Sequence, residues 1–256
     1  MLNVRSDTPH PIDILEHAFE NERVSPPSPA TDLDRVRALQ SRIAQMQRTR
    51  IDTASLATHP ALTSLLPGGA LQAGAAYSVI GSTTLLTALL AGPSGDGAWC
   101  GIVGVPEFGA EAAGRCGVDL ERLVMVPHPG EHWLSVTAAL ADAVTVVVIQ
   151  PGGRVREADA ARLAARLRQR ESTLIALGDW PGVMTRLTMT ESRWSGLGRG
   201  HGYPQARIAT VTAGARDGAG TMRSAQLWLP DDRGRIRLAT ARESSRDQPH
   251  LLEAVG

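Results

Sequence analysis

A short segment between a predicted strand and a predicted helix constrains this chain more than any other. An apolar run at residues 76–80 leads through Gly81-Ser82-Thr83-Thr84 into an uncharged aliphatic helix. A nucleotide-binding loop at this place needs the pattern G-x-x-x-x-G-K-[ST], in which backbone N–H groups and the lysine hold the phosphates. Here the loop is shortened, and the chain has no lysine, because all 26 residues in the Lys+Arg count are arginine. The segment therefore has strand–turn–helix order without the phosphate-binding cation.

Alternating strand and helix signals follow this loop. Buried strands are predicted at 99–105, 124–126 and 144–149, with helices at 109–116 and 132–142 between them. Apolar strands that alternate with helices predict an α/β fold with a mostly parallel central sheet flanked by helices. Glu107 follows the first of these strands, and Gln150 follows the last.

This order resembles the core of RecA. There, a strand that ends at a catalytic glutamate precedes a helix, a G-V-D-x-x-x-L segment, a turn that ends in Gly-Glu, a helix and the Walker B strand. The resemblance places Glu107 at the glutamate and Gln150 where the Walker B aspartate would hold Mg²⁺ through water. It therefore implies a RecA-like core with a degenerate P-loop, no catalytic residues and no cofactor. Glu107 is then a remnant of the catalytic glutamate or a structural polar residue at the strand end.

A more specific resemblance, over roughly residues 33–230, is to the ImuA family and in particular its actinobacterial branch. It rests on Pro106-Glu107-Phe108-Gly109, Gly117-Val118-Asp119, residues 127–133 and Leu227-Trp228-Leu229-Pro230. These proteins are RecA-like accessory factors of the damage-inducible mutasome. The resemblance implies a non-catalytic adaptor in the SOS response to DNA damage, which supports translesion synthesis and induced mutagenesis. It implies an ImuB-like inactive Y-family polymerase as partner, with a DnaE-type error-prone polymerase reached indirectly.

Two other functions remain open. A SulA-like inhibitor of cell division also has a RecA-related fold without nucleotide chemistry, and it would bind a tubulin-like division protein. The long RecA-like segment from Glu107 to Gln150 favours the adaptor over this alternative. The second open function is that of a weak RecA-like nucleotide- or DNA-binding protein. The lysine-free loop argues against ATP turnover by such a protein. Self-association, contact with RecA and DNA binding are left open.

The chain divides into four predicted parts. Residues 1–30 predict a flexible N-terminal tail, 31–50 an N-terminal helix, 51–230 the core domain and 231–256 an arginine-rich C-terminal tail. Within the core, glycines between 92 and 97 predict a turn after the aliphatic helix.

The N-terminal helix has an apolar stripe at helical spacing, formed by Val36, Leu39, Ile43 and Met46. Two heptads are too short to be stable alone in water, so this stripe must bury against the core or another chain. Leu39, Ile43 and Met46 are therefore candidate partner-binding residues.

Arginine is concentrated in the second half of the chain. Residues 1–150 have 9 arginines against 15 acids, whereas residues 151–256 have 17 against 11. The candidates for partner binding are Arg162, Arg166 and Arg170, at i, i+4 and i+8 of a predicted helix, and Arg233, Arg235 and Arg237 in the predicted tail. An uneven charge of this kind suggests an acidic partner or nucleic acid, although arginines on a solvated surface are the more common explanation.

Few other signals bear on function. Two cysteines without Cys/His clustering predict buried thiols and no metal site. Neither a secretory signal nor an apolar run of membrane-spanning length is present, so the expectation is a cytoplasmic protein without membrane contact that joins the nucleoid when DNA is damaged.

Overall fold

The computed structural model describes residues 54–197, 202–214 and 221–240 together with Glu243. These residues belong to a compact unit that spans residues 51–256. The predicted N-terminal tail and helix lie outside the described residues, and so do the candidate contact residues Leu39, Ile43 and Met46.

The described residues form a nine-stranded sheet and a separate two-stranded pair. The pair consists of β1 (Ser55–Leu56) and β2 (Leu71–Gln72). The large sheet contains β3 (Ala76–Ile80), β4 (Cys100–Val103), β5 (Leu123–Val126), β6 (Val146–Ile149), β7 (Thr173–Leu177), β8 (Thr185–Leu197), β9 (Gly202–Gly214), β10 (Arg223–Trp228) and β11 (Arg237–Leu238). Its order is β11-β10-β9-β8-β3-β7-β6-β4-β5.

The part of the sheet from β8 to β5 is parallel throughout. Its central strands are runs of apolar residues, and all four residues of both β4 and β6 are buried. A strand that is covered on both faces has no solvent side, which explains why these segments do not alternate between apolar and polar residues.

Four α-helices cover the parallel strands: α1 (Thr83–Gly95), α2 (Ala110–Arg115), α3 (Trp133–Ala143) and α4 (Glu157–Arg170). Alternate residues of β6 separate two apolar cores. Val146 and Val148 belong to the core that includes α1 and α2, whereas Val147 and Ile149 belong to the core that includes α3 and α4. The helices therefore form one layer on each face of the sheet.

Helix α1 is longer than the sequence predicts. It continues through Pro93 to Gly95, where the glycines predicted a turn from residue 92. Packing at Gly92 accounts for the difference, because a Cβ there would lie 2.6 Å from the backbone nitrogen of His59. The preceding chain thus packs directly on the helix backbone, and this tertiary contact outweighs the local turn preference.

The other side of the sheet is antiparallel. β9 pairs with β8 and with β10, and β11 adds a short edge strand. The predicted boundary at residue 230 precedes this edge strand, so residues 231–240, which were predicted to be tail, are folded. The mostly parallel sheet with a helical layer on each face confirms the predicted α/β fold with a mostly parallel central sheet flanked by helices.

Candidate functional site

The carboxyl ends of the parallel strands meet at one edge of the sheet, where open α/β sheets bind their ligands. β3 is the point at which the strand order reverses. Strands β4 to β7 lie on one side of it, and β8 to β11 lie on the other. The segment that follows β3, which contains Gly81 and Ser82, is therefore the first candidate for a ligand site.

Two residues, Gly81 and Ser82, connect β3 to α1. Gly81 has a φ of +80°, in the left-handed region that favours glycine. Ser82 is extended, and its Oγ accepts a hydrogen bond from the backbone N–H of Leu85 at 3.1 Å. Ser82 is 7% exposed, so its hydroxyl serves as the helix N-cap inside the protein. A turn this short lacks the wide ring of backbone N–H groups that encloses phosphates in a P-loop.

An arginine from a different part of the chain reaches this turn. The Nη2 atom of Arg207, on β9, lies 3.5 Å from Ser82 Oγ. Its Nε donates to the carbonyl oxygen of Leu229 at 2.9 Å, and its guanidinium carbon lies 5.1 Å from the centre of the Trp194 ring. Burial lowers the pKa of Arg207, but a guanidinium starts high enough to remain charged at neutral pH. A cation therefore contacts the turn from the antiparallel part of the sheet.

The two other residues that the resemblance assigns to the degenerate ATP site, Glu107 and Gln150, follow strands further along the same edge. β7 and β6 separate β4, which precedes Glu107, from β3. Glu107 is exposed beside the buried Phe108, and Gln150 is exposed after β6. The backbone of Gln150 binds closely to the end of β4, since its N–H donates to Val103 at 3.0 Å. A Cβ on Gly104 would lie 2.8 Å from the Gln150 carbonyl oxygen, so only glycine fits there.

These residues do not supply the charges that ATP chemistry needs. Gln150 presents a neutral amide where Mg²⁺ would require a carboxylate. Within the described part of the chain, no group of three or more His, Cys, Asp or Glu residues is placed to hold a metal ion.

A cleft of about 630 Å³ lies beyond the ends of β6 and β7. Its charged lining consists of Arg154, Glu157, Asp179 and Arg186, two cations and two anions. Arg186 binds Asp179 at 2.6 Å, while its Nε is buried without a hydrogen-bond partner among the described residues. The balance of charge does not favour a polyanion in this cleft.

The predicted arginine stripe on α4 is paired with acids. Arg166 binds Asp142, at the end of α3, through Nε at 2.8 Å and Nη2 at 2.5 Å. Arg170 binds the same carboxylate at 3.1 Å, and Arg162 lies 3.5 Å from Asp159. The hydrogen bond from Arg166 is the main reason that the pKa of Asp142 is lowered. Two of the three arginines therefore join α3 to α4.

The arginines of the predicted tail also surround an acid. Asp231 is 1% exposed and accepts hydrogen bonds from the backbone N–H groups of Arg233 and Arg235, at 3.0 and 2.8 Å. The side chains of Arg235 and Arg237 bind its Oδ2 at 3.0 and 3.1 Å. Arg237 also binds Glu243 at 2.7 Å. Burial alone would raise the pKa of Asp231, but these hydrogen bonds outweigh it and lower the pKa to about 2.

Arg207 and Asp231 are not among the site residues predicted from the sequence. Arg207 lies 125 positions from Ser82, and no local pattern indicates that contact. Asp231 does carry a signal, because Arg233, Arg235 and Arg237 follow it at alternate positions. Such spacing allows several arginines to face one carboxylate.

Comparison with known proteins gives a partial family match. Residues 64–182 match a family model described as MT3502 N-terminal domain. The chain is 40% identical over 127 residues to the Mycobacterium tuberculosis protein described as uncharacterized protein Rv3395c. That alignment covers 48% of this chain and 62% of the relative, so the chain spans about three fifths of the relative's length.

Two solved structures have similar architecture at low sequence identity. One is a KaiC-like protein, PH0186, from Pyrococcus horikoshii, with 13% identity, a TM-score of 0.49, and coverage of 73% of this chain and 100% of that one. The other is the RadB recombinase, with 18% identity, a TM-score of 0.47, and coverage of 70% and 97%. Among the described residues, no helix combines the length and apolar character needed to cross a membrane.

Proposed function

We propose that this chain is a non-catalytic RecA-like adaptor of the damage-inducible mutasome. In this role it supports translesion synthesis by binding an ImuB-like inactive Y-family polymerase and, through it, a DnaE-type error-prone polymerase. The resemblance to the ImuA family supplies the pathway and the partners. The observation that carries the non-catalytic part is the closed turn after β3, in a chain without lysine.

The turn supports this proposal because its polar side chain, the Ser82 hydroxyl, already contacts other parts of the protein. Ser82 Oγ accepts from Leu85 and lies beside the Arg207 guanidinium, so it is engaged from two sides. Phosphoryl transfer depends on cations and Mg²⁺ placed around the γ-phosphate. Arg207 is a cation, but its Nη2 lies against Ser82 Oγ at the turn itself, and Gln150 stands where the resemblance places the Walker B aspartate. A core of this kind acts as a rigid scaffold whose surfaces bind other proteins.

The first experiment tests the partner and the role of nucleotide together. Full-length protein is co-purified with the ImuB-like polymerase of the same organism, with and without millimolar ATP and Mg²⁺. We expect binding that is equal in both conditions, and no saturable signal when a fluorescent ATP analogue is titrated. Binding that requires ATP, or steady ATP hydrolysis, would contradict the non-catalytic adaptor.

Shortened proteins locate the contact. One begins at residue 51 and removes the predicted N-terminal helix, and another ends at residue 244, after Glu243, whose carboxylate binds Arg237. Loss of binding by one of them alone assigns the contact to the segment removed. Failure of the full-length protein to bind the polymerase, together with binding to the tubulin-like division protein, would support the SulA-like alternative instead.

A further inference from the structure

The two strands β8 and β9 form a long ribbon at the antiparallel side of the sheet. Each has 13 residues, which at about 3.3 Å per residue gives a length of roughly 40 Å. Residues 191–196 of β8 and 203–205 of β9 are all exposed. In the described far part of the ribbon, these residues are therefore largely exposed to solvent.

The far part of the ribbon carries two exposed aromatic rings. Trp194 is directly opposite Arg207 in the strand register, so these two side chains share a face. Tyr203 lies four residues from Arg207 on β9, beyond a register irregularity between Ser195 and Leu197, and belongs to the same end of the ribbon. Trp194 is 45% exposed and Tyr203 is 84% exposed. Only 4% of the residues in this chain are aromatic, so two exposed rings at one end of a ribbon need an explanation.

A guanidinium without a carboxylate partner among the described residues lies beside the Trp194 ring. Among the described residues, Arg207 contacts the Leu229 carbonyl, the Ser82 hydroxyl and the Trp194 ring, and it forms no ion pair. The chain from 185 to 223 contains six arginines and two acids, a net charge of +4. One of those arginines, Arg199, stands between glycines in the connection from β8 to β9. The ribbon thus combines flat rings with an excess of positive charge.

From this combination we infer that the exposed end of the β8–β9 ribbon, with Trp194, Tyr203 and Arg207, binds single-stranded nucleic acid. Unpaired bases stack on exposed aromatic rings, and guanidinium groups contact the phosphates between them. The bases of a duplex are already stacked on each other and present only their edges, so the rings favour single strands. This inference goes beyond the proposed function and does not depend on binding to a polymerase.

The test measures binding of fluorescein-labelled oligothymidylate to the full chain by fluorescence anisotropy, with a duplex of equal length as comparison. We expect saturable binding to the single strand, weaker binding to the duplex, and quenching of tryptophan fluorescence. Trp194→Ala and Tyr203→Ala should each weaken binding to the single strand by about tenfold. The matched control is Trp99→Ala, because Trp99 is 48% exposed and lies outside the ribbon, just before β4. It should keep wild-type affinity.

A second pair of variants tests the charge. Arg207→Gln should lower the slope of log affinity against log salt by about 0.7 for each phosphate that the protein no longer neutralises. Arg162→Gln, on α4, is the matched control and should leave the slope unchanged. Circular dichroism melts show that each variant is folded before its affinity is compared, and Arg207→Lys retains the charge if the glutamine variant does not fold.

Three outcomes would overturn the inference. The first is wild-type protein that does not bind oligothymidylate at low salt, and the second is a pair of ring variants with unchanged affinity. The third combines two results: the wild type does not bind nucleic acid, and the ring variants no longer bind the ImuB-like polymerase. The ribbon would then be a protein-binding surface. ATP-independent binding of the wild type to the polymerase, by contrast, tests only the proposed function.

Discussion

Two aspartates, Asp142 and Asp231, each bind two arginine side chains, but their surroundings differ. The side chain of Asp142 is 27% exposed, and the side chains of its partners Arg166 and Arg170 are about half exposed. Asp231 is buried and also accepts two backbone hydrogen bonds. Exposed ion pairs contribute little to stability, and the side chain of Arg235 is itself 58% exposed. Removal of the buried Asp231 carboxylate, however, leaves two backbone N–H groups without their acceptor. The same pairing of aspartate with arginine therefore contributes differently to stability at Asp142 and at Asp231.

This difference shows how to read an arginine-rich sequence. The sequence suggests two basic surfaces, one on α4 and one after residue 230, yet arginines in both bind carboxylates of the same chain. Arg207 attracts no attention in the sequence and has no carboxylate partner among the described residues. The candidate for contact with an anion is thus the unpaired arginine, and the density of arginine is a poor guide to it.

The largest effect is expected from Asp231→Ala. It removes the acceptor for two backbone N–H groups and for the side chains of Arg235 and Arg237. We expect the free energy of unfolding to fall by about 3 kcal/mol, which urea denaturation followed by circular dichroism measures. A loss as small as that of an exposed pair would show that the burial of Asp231 has no energetic consequence, and the contrast with Asp142 would disappear.

Acid should remove the contribution of Asp231 as well. Its pKa is lowered from an ordinary value of 3.8 to about 2 in the folded protein. A lowered pKa stabilises the fold above the unfolded value, and that stabilisation disappears as pH falls through the folded value. The difference in urea midpoint between the wild type and Asp231→Asn should therefore shrink between about pH 4 and pH 2. A difference that stays constant over this range would contradict the assignment.

Arg237→Ala is expected to have a smaller effect than the loss of Asp231. Arg237 binds Asp231 and Glu243, and its guanidinium carbon lies 5.4 Å from the centre of the Trp228 ring. Asp231 keeps Arg235 and two backbone donors in this variant, so we expect a loss of about 1–2 kcal/mol in urea denaturation. Arg166→Ala is the matched control at the exposed cluster. The two variants should differ clearly, and equal losses would contradict the difference in burial.

The sequence predicted the parallel core well, for a physical reason. Strands covered on both faces need continuous apolar residues, and such runs stand out. The run predicted as a strand at 144–149 contains β6, Val146–Ile149, and the run at 124–126 lies within β5, Leu123–Val126. The lysine-free loop after β3 was equally visible, because the absence of lysine needs no structure to be seen.

The remaining features depend on contacts that local patterns do not encode. The Arg207–Ser82 contact joins two segments whose strands are neighbours only through β8 in the folded sheet. The polar sequence after Pro230 was interpreted as a tail because few apolar residues indicate a core there. Asp231 supplies a polar centre instead, so a segment with little apolar surface is still held in the fold.

The smallest effect on stability is expected from Asp142→Asn, and this variant also tests what pairing does to charge. The amide keeps the shape but loses the attraction for Arg166 and Arg170, so the melting temperature should fall by no more than about 2 °C. Salt should reduce even this difference, because exposed charges are screened. The freed arginines should, however, increase weak binding to duplex DNA at low salt, measured by anisotropy. Unchanged duplex binding would contradict this explanation. It would show that the α4 arginines do not bind DNA even when Asp142 no longer pairs with them.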